Sequence, residues 1–246
     1  MAKNIINIDN EIRHGLAERA KTRICFVGGV GTGNVLNIGN RFFITTCRHV
    51  ADIYFQKQLP YIILYGNKRI NTENLQYTAR TEKKYDIAII EVLEEHTMQA
   101  WYEKDDFELI DDFSPYLFEK TNLFVCGFPE DLKDENEEGI FHSWMSYMTI
   151  LHEKKITTED FIFGKYPMNR DDLVTYEGSR THLPTALGLS GAFIYKVNQY
   201  AGDKDEIWTP AYAKVIAMQT SWNEKNWIKG TNIKHLFALF DKALLT

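Results

Sequence analysis

Near the start of the chain apolar residues recur every fourth position: Ile8, Ile12 and Leu16, with Ala20 beyond. That spacing lines one face of a helix, and Asp9 or Asn10 stands where a side-chain oxygen can cap it, so a helix is expected within residues 1–21. From Arg23 the period falls to two. Short runs rich in Ile, Val, Phe and Tyr, broken by Gly, Asn and Pro, predict strands at 23–27, 33–38, 41–45, 61–65, 75–80 and 87–92. Six strands in so short a stretch suggest a small antiparallel barrel or sandwich. Residues 94–118 read as a hydrophilic connector carrying Asp105, Asp106, Glu108, Asp111 and Asp112, with one helical turn at 98–102.

A second set of strands is expected at 122–126, 141–151, 160–163, 172–176, 192–197 and 211–218. The charge run at 130–139 reads as a solvated loop. Ile233, Leu236, Phe237 and Phe240 are spaced as one face of a closing helix. The expected organisation is a helix at 1–21, a first strand set with its connector at 22–112, a second set at 113–230 and a helix at 231–246, the two sets forming one unit. Strands and helices do not alternate, which argues against a doubly wound α/β fold.

Composition narrows the class without changing this picture. Over 246 residues, 44% apolar and 25% charged usage is ordinary for a globular chain and excludes a disordered one. The 28 Lys and Arg against 34 Asp and Glu give a net charge of −6 with no basic run, so no nucleic-acid partner is expected. No apolar run approaches the ~18 residues of a membrane span, and residues 1–23 lack the continuous apolar stretch of a signal peptide. Cys25, Cys47 and Cys126 sit singly among apolar neighbours, which suits buried, reduced thiols. A soluble, cytoplasmic protein with no membrane partner is the expectation.

Three segments carry chemistry. A buried strand ends in a histidine in Ile44-Thr45-Thr46-Cys47-Arg48-His49. An aspartate opens an apolar strand in Asp86-Ile87-Ala88-Ile89-Ile90. A serine stands between glycines in Gly188-Leu189-Ser190-Gly191. Each alone has a bland reading as a strand end, a turn former or a plain turn. In this order they draw an imidazole and a carboxylate from the first strand set and a hydroxyl from the second. A serine hydroxyl needs an adjacent base to act as a nucleophile. His49 can take its proton and return it to a leaving amine. A carboxylate at Asp86 fixes the imidazole tautomer and stabilises its cation. Glycines let the backbone aim the N–H groups of Gly188 and Ser190 at one point, where they form an oxyanion hole worth about 3 kcal/mol per donor.

The ordered set Thr46-Cys47-Arg48-His49, Asp86-Ile87-Ala88-Ile89 and Gly188-Leu189-Ser190-Gly191 resembles the chymotrypsin-fold (trypsin-like) serine peptidases. It looks closer to the disulfide-free, HtrA-like or cytoplasmic bacterial branch than to secreted digestive enzymes. Gly31-Thr32-Gly33, Val125-Cys126-Gly127-Phe128-Pro129 and Val215-Ile216-Ala217-Met218 add to the likeness, which covers residues 23–244. The resemblance implies an all-β fold of two six-stranded antiparallel β-barrels with an N-terminal and a C-terminal helix. It implies a Ser-His-Asp triad of Ser190, His49 and Asp86, an acyl-enzyme intermediate, a protein or peptide substrate and no cofactor. It also implies a substrate pocket with its floor near Pro184 and Thr185 and its wall near Gln219 and Thr220. No acidic residue lies at that floor, so a neutral side chain is expected there rather than Lys or Arg.

The sequence departs from the family pattern at three places. Leu189 stands where many relatives carry Asp or Asn, Ala192 replaces a glycine, and Arg48 adjoins the expected base. Two alternatives follow: a peptidase gated by an activating partner protein or ligand, and a catalytically weak trypsin-like domain acting as a protein-interaction module. The glycines at 28–33 lack the Gly-Lys-Ser ending of a phosphate loop, and Cys47, His49 and His152 lack the paired spacing of a metal site, so no metal is expected. Cys47 reads as a packing residue. His14, His96, His142, His182 and His235 have no evident partner in sequence and read as surface or structural.

Overall fold

The computed structural model describes residues 2–56, 61–64, 69–71, 77–93, 108–109, 122–136, 139–152, 154–166, 173–175, 184–197, 209–223 and 227–244. Helix α1 (Ala2–Lys21) leads into β1 (Ile24–Val27), β2 (Gly31–Ile38) and β3 (Arg41–Cys47), then helix α2 (Arg48–Gln56). Strands β4 (Tyr61–Leu64), β5 (Arg69–Asn71), β6 (Tyr77–Glu82), β7 (Ile87–Val92) and the two-residue β8 (Glu108–Leu109) complete the first sheet. The second half holds β9 (Asn122–Gly127), the hairpin β10 (Lys133–Asn136) and β11 (Gly139–His142), then β12 (Met145–Ile150), β13 (Phe161–Lys165), β14 (Leu173–Thr175), β15 (Phe193–Val197), β16 (Lys214–Asn223) and β17 (Trp227–Asn232). Helix α3 (Lys234–Leu244) closes the described chain.

The first sheet runs β5-β4-β1-β2-β3-β7-β6, with β8 added in parallel to β2. The second runs β13-β17-β16-β15-β9-β12-β14. An antiparallel bridge from Leu151 to Gly164 and a His152 N–H bond to the Phe163 carbonyl (2.8 Å) join the end of β12 to β13 and close this sheet on itself.

Period-two alternation sorts the side chains into three cores. In β1, Cys25 and Val27 face the interior of the first sheet, whereas Ile24 and Phe26 face outward. In β9, Leu123 and Val125 face the interior of the second, and Phe124 and Cys126 face outward. The outward faces are not solvated. They meet each other and the helices α1 and α3, through Ile12, Leu16, Leu236 and Phe240, in one shared core. Strands buried on both faces must be apolar throughout, which explains runs such as Ile87-Ala88-Ile89-Ile90. Each fully buried large side chain contributes about 1.5–3 kcal/mol.

The all-β class with terminal helices is therefore as expected, and the differences are local. Helix α1 begins at Ala2, so neither Asp9 nor Asn10 caps it; residues 2–8 contain no Gly or Pro to stop a helix. The charge run is not a plain loop: it holds a 3₁₀ turn (Glu130–Leu132) and the β10–β11 hairpin, pinned by buried Leu132 and His142 at its two ends. The expected single strand at 141–151 is broken at Ser143 and Trp144. The expected helical turn at 98–102 lies outside the described residues. Helix α2 and strands β5, β8, β10 and β17 were not expected.

Candidate active site

Strand β3 ends at Cys47 and α2 begins at Arg48, so His49 lies in the first turn of a nine-residue helix. The first N–H groups of a helix have no partner within it. Here Asp86 supplies them: its carbonyl accepts from Arg48 N–H (3.2 Å) and its Oδ1 from His49 N–H (3.1 Å). The other carboxylate oxygen, Oδ2, meets His49 Nδ1 at 2.7 Å. A carboxylate has no proton to give, so in the neutral imidazole Nδ1 carries the hydrogen and Nε2 keeps its lone pair for other work. The negative charge also lies at the positive end of the α2 dipole. Arg48, the neighbour of the expected base, is drawn along its own helix to Asp52 (2.9 Å).

Asp86 achieves this with φ at +54°, a left-handed conformation that Asp tolerates better than most residues. Its predecessor holds it there. The Tyr85 carbonyl accepts from Thr231 Oγ1 on β17 (2.7 Å), and the Tyr85 ring stacks on His235 of α3 at 3.4 Å between centroids. His235 Nε2 in turn meets Asp160 Oδ1 at 2.8 Å. His235 thus has a partner that the sequence did not disclose, because Asp160 lies 75 residues away. His142 is likewise buried, packed on Phe26 and Phe128, while His14 is exposed. His96 and His182 lie outside the described residues.

Ser190 occupies a turn between Ala186 and Ala192. Leu189 N–H donates to the Ala186 carbonyl (3.2 Å), Ala192 N–H to Leu189 (2.9 Å) and Gly191 N–H to Gln219 (2.8 Å). Among the described residues, no acceptor takes the N–H groups of Gly188 and Ser190. Both glycines are required. Gly188 has φ +88° and a Cβ there would lie 2.5 Å from the Phe128 carbonyl; Gly191 has φ +99° and a Cβ would lie 1.9 Å from the Thr32 carbonyl. Leu189 is fully buried in the second-sheet core, so an apolar anchor holds the turn.

Thr32 binds this turn to the first sheet, a role that the sequence did not reveal. Its N–H donates to the Ser190 carbonyl (2.9 Å), and its hydroxyl donates to the Gly188 carbonyl (2.9 Å) while accepting from Phe128 N–H (2.9 Å). Its carbonyl accepts from Thr46 Oγ1 (2.7 Å), three residues before His49. Asn34 Nδ2 adds a bond to the Gly191 carbonyl (2.7 Å). The serine turn is therefore tied by its backbone to the two strands that lead to the histidine. Among the described residues no hydrogen bond joins Ser190 Oγ to His49; such contacts are often long before substrate arrives.

Of the expected pocket residues, Pro184, Gln219 and Thr220 are buried and Thr185 is exposed, its N–H donating to Asp131 Oδ2 (2.6 Å). The Gln219 carbonyl accepts from both Gly191 N–H and Cys47 Sγ (3.1 Å), placing that strand beside the serine turn. Donor atoms of Cys47, His49 and Asp86 lie within 4.8 Å of one another and could in principle hold a metal. The thiol is fully buried, burial reinforced by the Asp86 charge pushes its pKa well up, and it donates to the Gln219 carbonyl.

No family model matches the chain, and no curated protein sequence does. Solved structures do. A double mutant of human heparin binding protein is similar with a TM-score of 0.56 at 11% identity, covering 93% of each chain. An atomic-resolution structure of heparin binding protein is similar with a TM-score of 0.52 at 8% identity, again over 93% of each chain. At such identities the likeness speaks to fold alone, and the fold is the chymotrypsin-like double barrel.

Proposed function

We propose that this chain is a trypsin-like serine endopeptidase in which Ser190 is the nucleophile, His49 the general base and acid, and Asp86 the group that orients the imidazole. The observation that carries the reading is the 2.7 Å bond from His49 Nδ1 to Asp86 Oδ2, made by a carboxylate that also caps the helix bearing the histidine. In the proposed reaction Ser190 Oγ attacks a peptide carbonyl as its proton passes to His49 Nε2. The Gly188 and Ser190 N–H groups, which have no other acceptor among the described residues, receive the developing oxyanion. The C–N bond then breaks as that proton moves to the leaving nitrogen, and water repeats the sequence to release the acyl group.

The serine turn is already built in the intact chain by buried Leu189 and by Thr32, so the proposed enzyme needs no cleavage of its own chain to form it. Three buried, free cysteines fit work in a reducing compartment, and no described helix is long and apolar enough to cross a membrane.

The test is labelling by a fluorophosphonate probe. The wild type is expected to be labelled, and Ser190→Ala to lose labelling while unfolding at an unchanged temperature. If the wild type resists the probe, alone and with candidate protein partners, the interaction-module reading replaces this one.

A further inference from the structure

A peptidase site needs a rule for choosing the side chain it accepts, and among the described residues the interior of the second barrel holds two buried side chains whose polar atoms are unpartnered. Gln219 is fully buried, yet neither its side-chain oxygen nor its nitrogen has a hydrogen-bond partner among the described residues. Tyr147 is also fully buried and its hydroxyl is likewise unpartnered. A buried polar group left unpaired is costly, so two in one barrel call for an explanation.

Their directions can be read from the register. Gln219 pairs across β16 and β17 with Gly230, and cross-strand partners share a face. A Cβ on Gly230 would press on Ile194 Cδ1 (2.5 Å) and Ala217 Cβ (3.0 Å), both part of the barrel interior. The Gln219 side chain therefore enters that interior. Tyr147 belongs to the same apolar cluster, together with Ala186, Leu189 and Ala192 of the serine turn. The ring of Tyr166 lies 5.4 Å from that of Tyr147, and its hydroxyl donates to the Pro184 carbonyl (2.7 Å), fastening the strap that leads to Ser190.

We infer that Gln219 and Tyr147 form the polar end of the side-chain pocket and select a substrate with an uncharged carboxamide, glutamine or asparagine, on the acyl side of the scissile bond. This rests on the peptidase reading and deepens it. A carboxamide offers one acceptor and two donors, matching an amide and a phenol that each both donate and accept. A charged side chain would enter an apolar barrel with no described ion to pair it, and an aliphatic one would leave both orphans unpaired.

The experiment measures binding on the Ser190→Ala protein, which is independent of catalysis. Peptides differing only at one residue, Gln, Asn, Leu, Lys or Glu, are titrated by calorimetry. Gln or Asn is expected to bind at least about tenfold tighter than Leu, and Gln219→Leu or Tyr147→Phe to erase that margin. Gln219→Leu is also expected to unfold at the same or a higher temperature, since it removes an unpaired amide. Equal or tighter binding of Leu, or a marked loss of stability in Gln219→Leu, overturns the proposal. Fluorophosphonate labelling of the wild type reads the peptidase assignment separately, so either can fail without the other.

Discussion

Thr32→Val isolates what holds the serine turn in place. Valine keeps the branched shape of threonine and the backbone N–H that reaches the Ser190 carbonyl. It loses the hydroxyl, which donates to the Gly188 carbonyl and accepts from Phe128 N–H, both at 2.9 Å. Gly188 and Phe128 are buried, so water does not replace the missing partner. Two stranded backbone groups at about 1–3 kcal/mol each give a loss of about 2–6 kcal/mol, a large share of the usual stability of a domain. Thr32→Ser makes the opposite change: it keeps the hydroxyl and sheds one methyl, at a cost of about 1 kcal/mol. Urea unfolding of the three proteins is expected to rank them wild type, Thr32→Ser, Thr32→Val. Fluorophosphonate labelling is expected to slow in Thr32→Val beyond its loss of folded protein, because the Gly188 carbonyl no longer fixes the adjacent peptide. A Thr32→Val protein as stable as Thr32→Ser would refute the argument that hydrogen bonding, rather than packing, secures the turn.

Asp86→Asn keeps a residue that tolerates positive φ but replaces the carboxylate facing His49 Nδ1; labelling by the probe is expected to slow by about 10⁴-fold with the far-ultraviolet spectrum unchanged. Gly191→Ala places a methyl 1.9 Å from the Thr32 carbonyl in a left-handed conformation and should cost at least about 3 kcal/mol, read as a lower urea midpoint. Burial, helped by repulsion from Lys234 and Lys84, holds the His235 imidazole below its ordinary value of 6.5 despite the attraction of Asp160. The folded chain therefore takes up that proton less readily than the unfolded one, and this stabilising contribution, complete above pH 6.5, is lost as pH falls below it. In His235→Phe, which keeps the ring on Tyr85, the urea midpoint should fall less between pH 7.5 and pH 5.5 than in the wild type.

What the sequence disclosed follows from how local each signal is. The His49 and Asp86 segments announce themselves because each adjoins a strand buried on both faces, whose apolar runs are plain in the sequence. Helix α2 is missed because nine residues directly after a strand give too short a period to recognise. Strand β17 is missed because Trp227-Ile228-Lys229-Gly230-Thr231-Asn232 mixes lysine, glycine and asparagine with only two large apolar residues, although four of the six positions are buried. The parts of the site that escaped, Thr32 and the Tyr85–His235 pair, act through backbone carbonyls and ring faces 146 to 156 residues away. Such contacts leave no spacing rule in the chain. Gln219 was expected at the pocket from resemblance, yet its want of a partner appears only once the barrel is closed around it.

The clamp on Tyr85 carries a consequence for how the protein is made. The hydroxyl of Thr231 and the imidazole of His235 that grip the residue before Asp86 belong to the last strand and last helix described. Until residues 231–235 have been made and packed, Asp86 lacks the grip that sets its carboxylate. The geometry facing the His49 imidazole is thus set by tertiary packing between the two halves rather than by the local turn that carries Asp86.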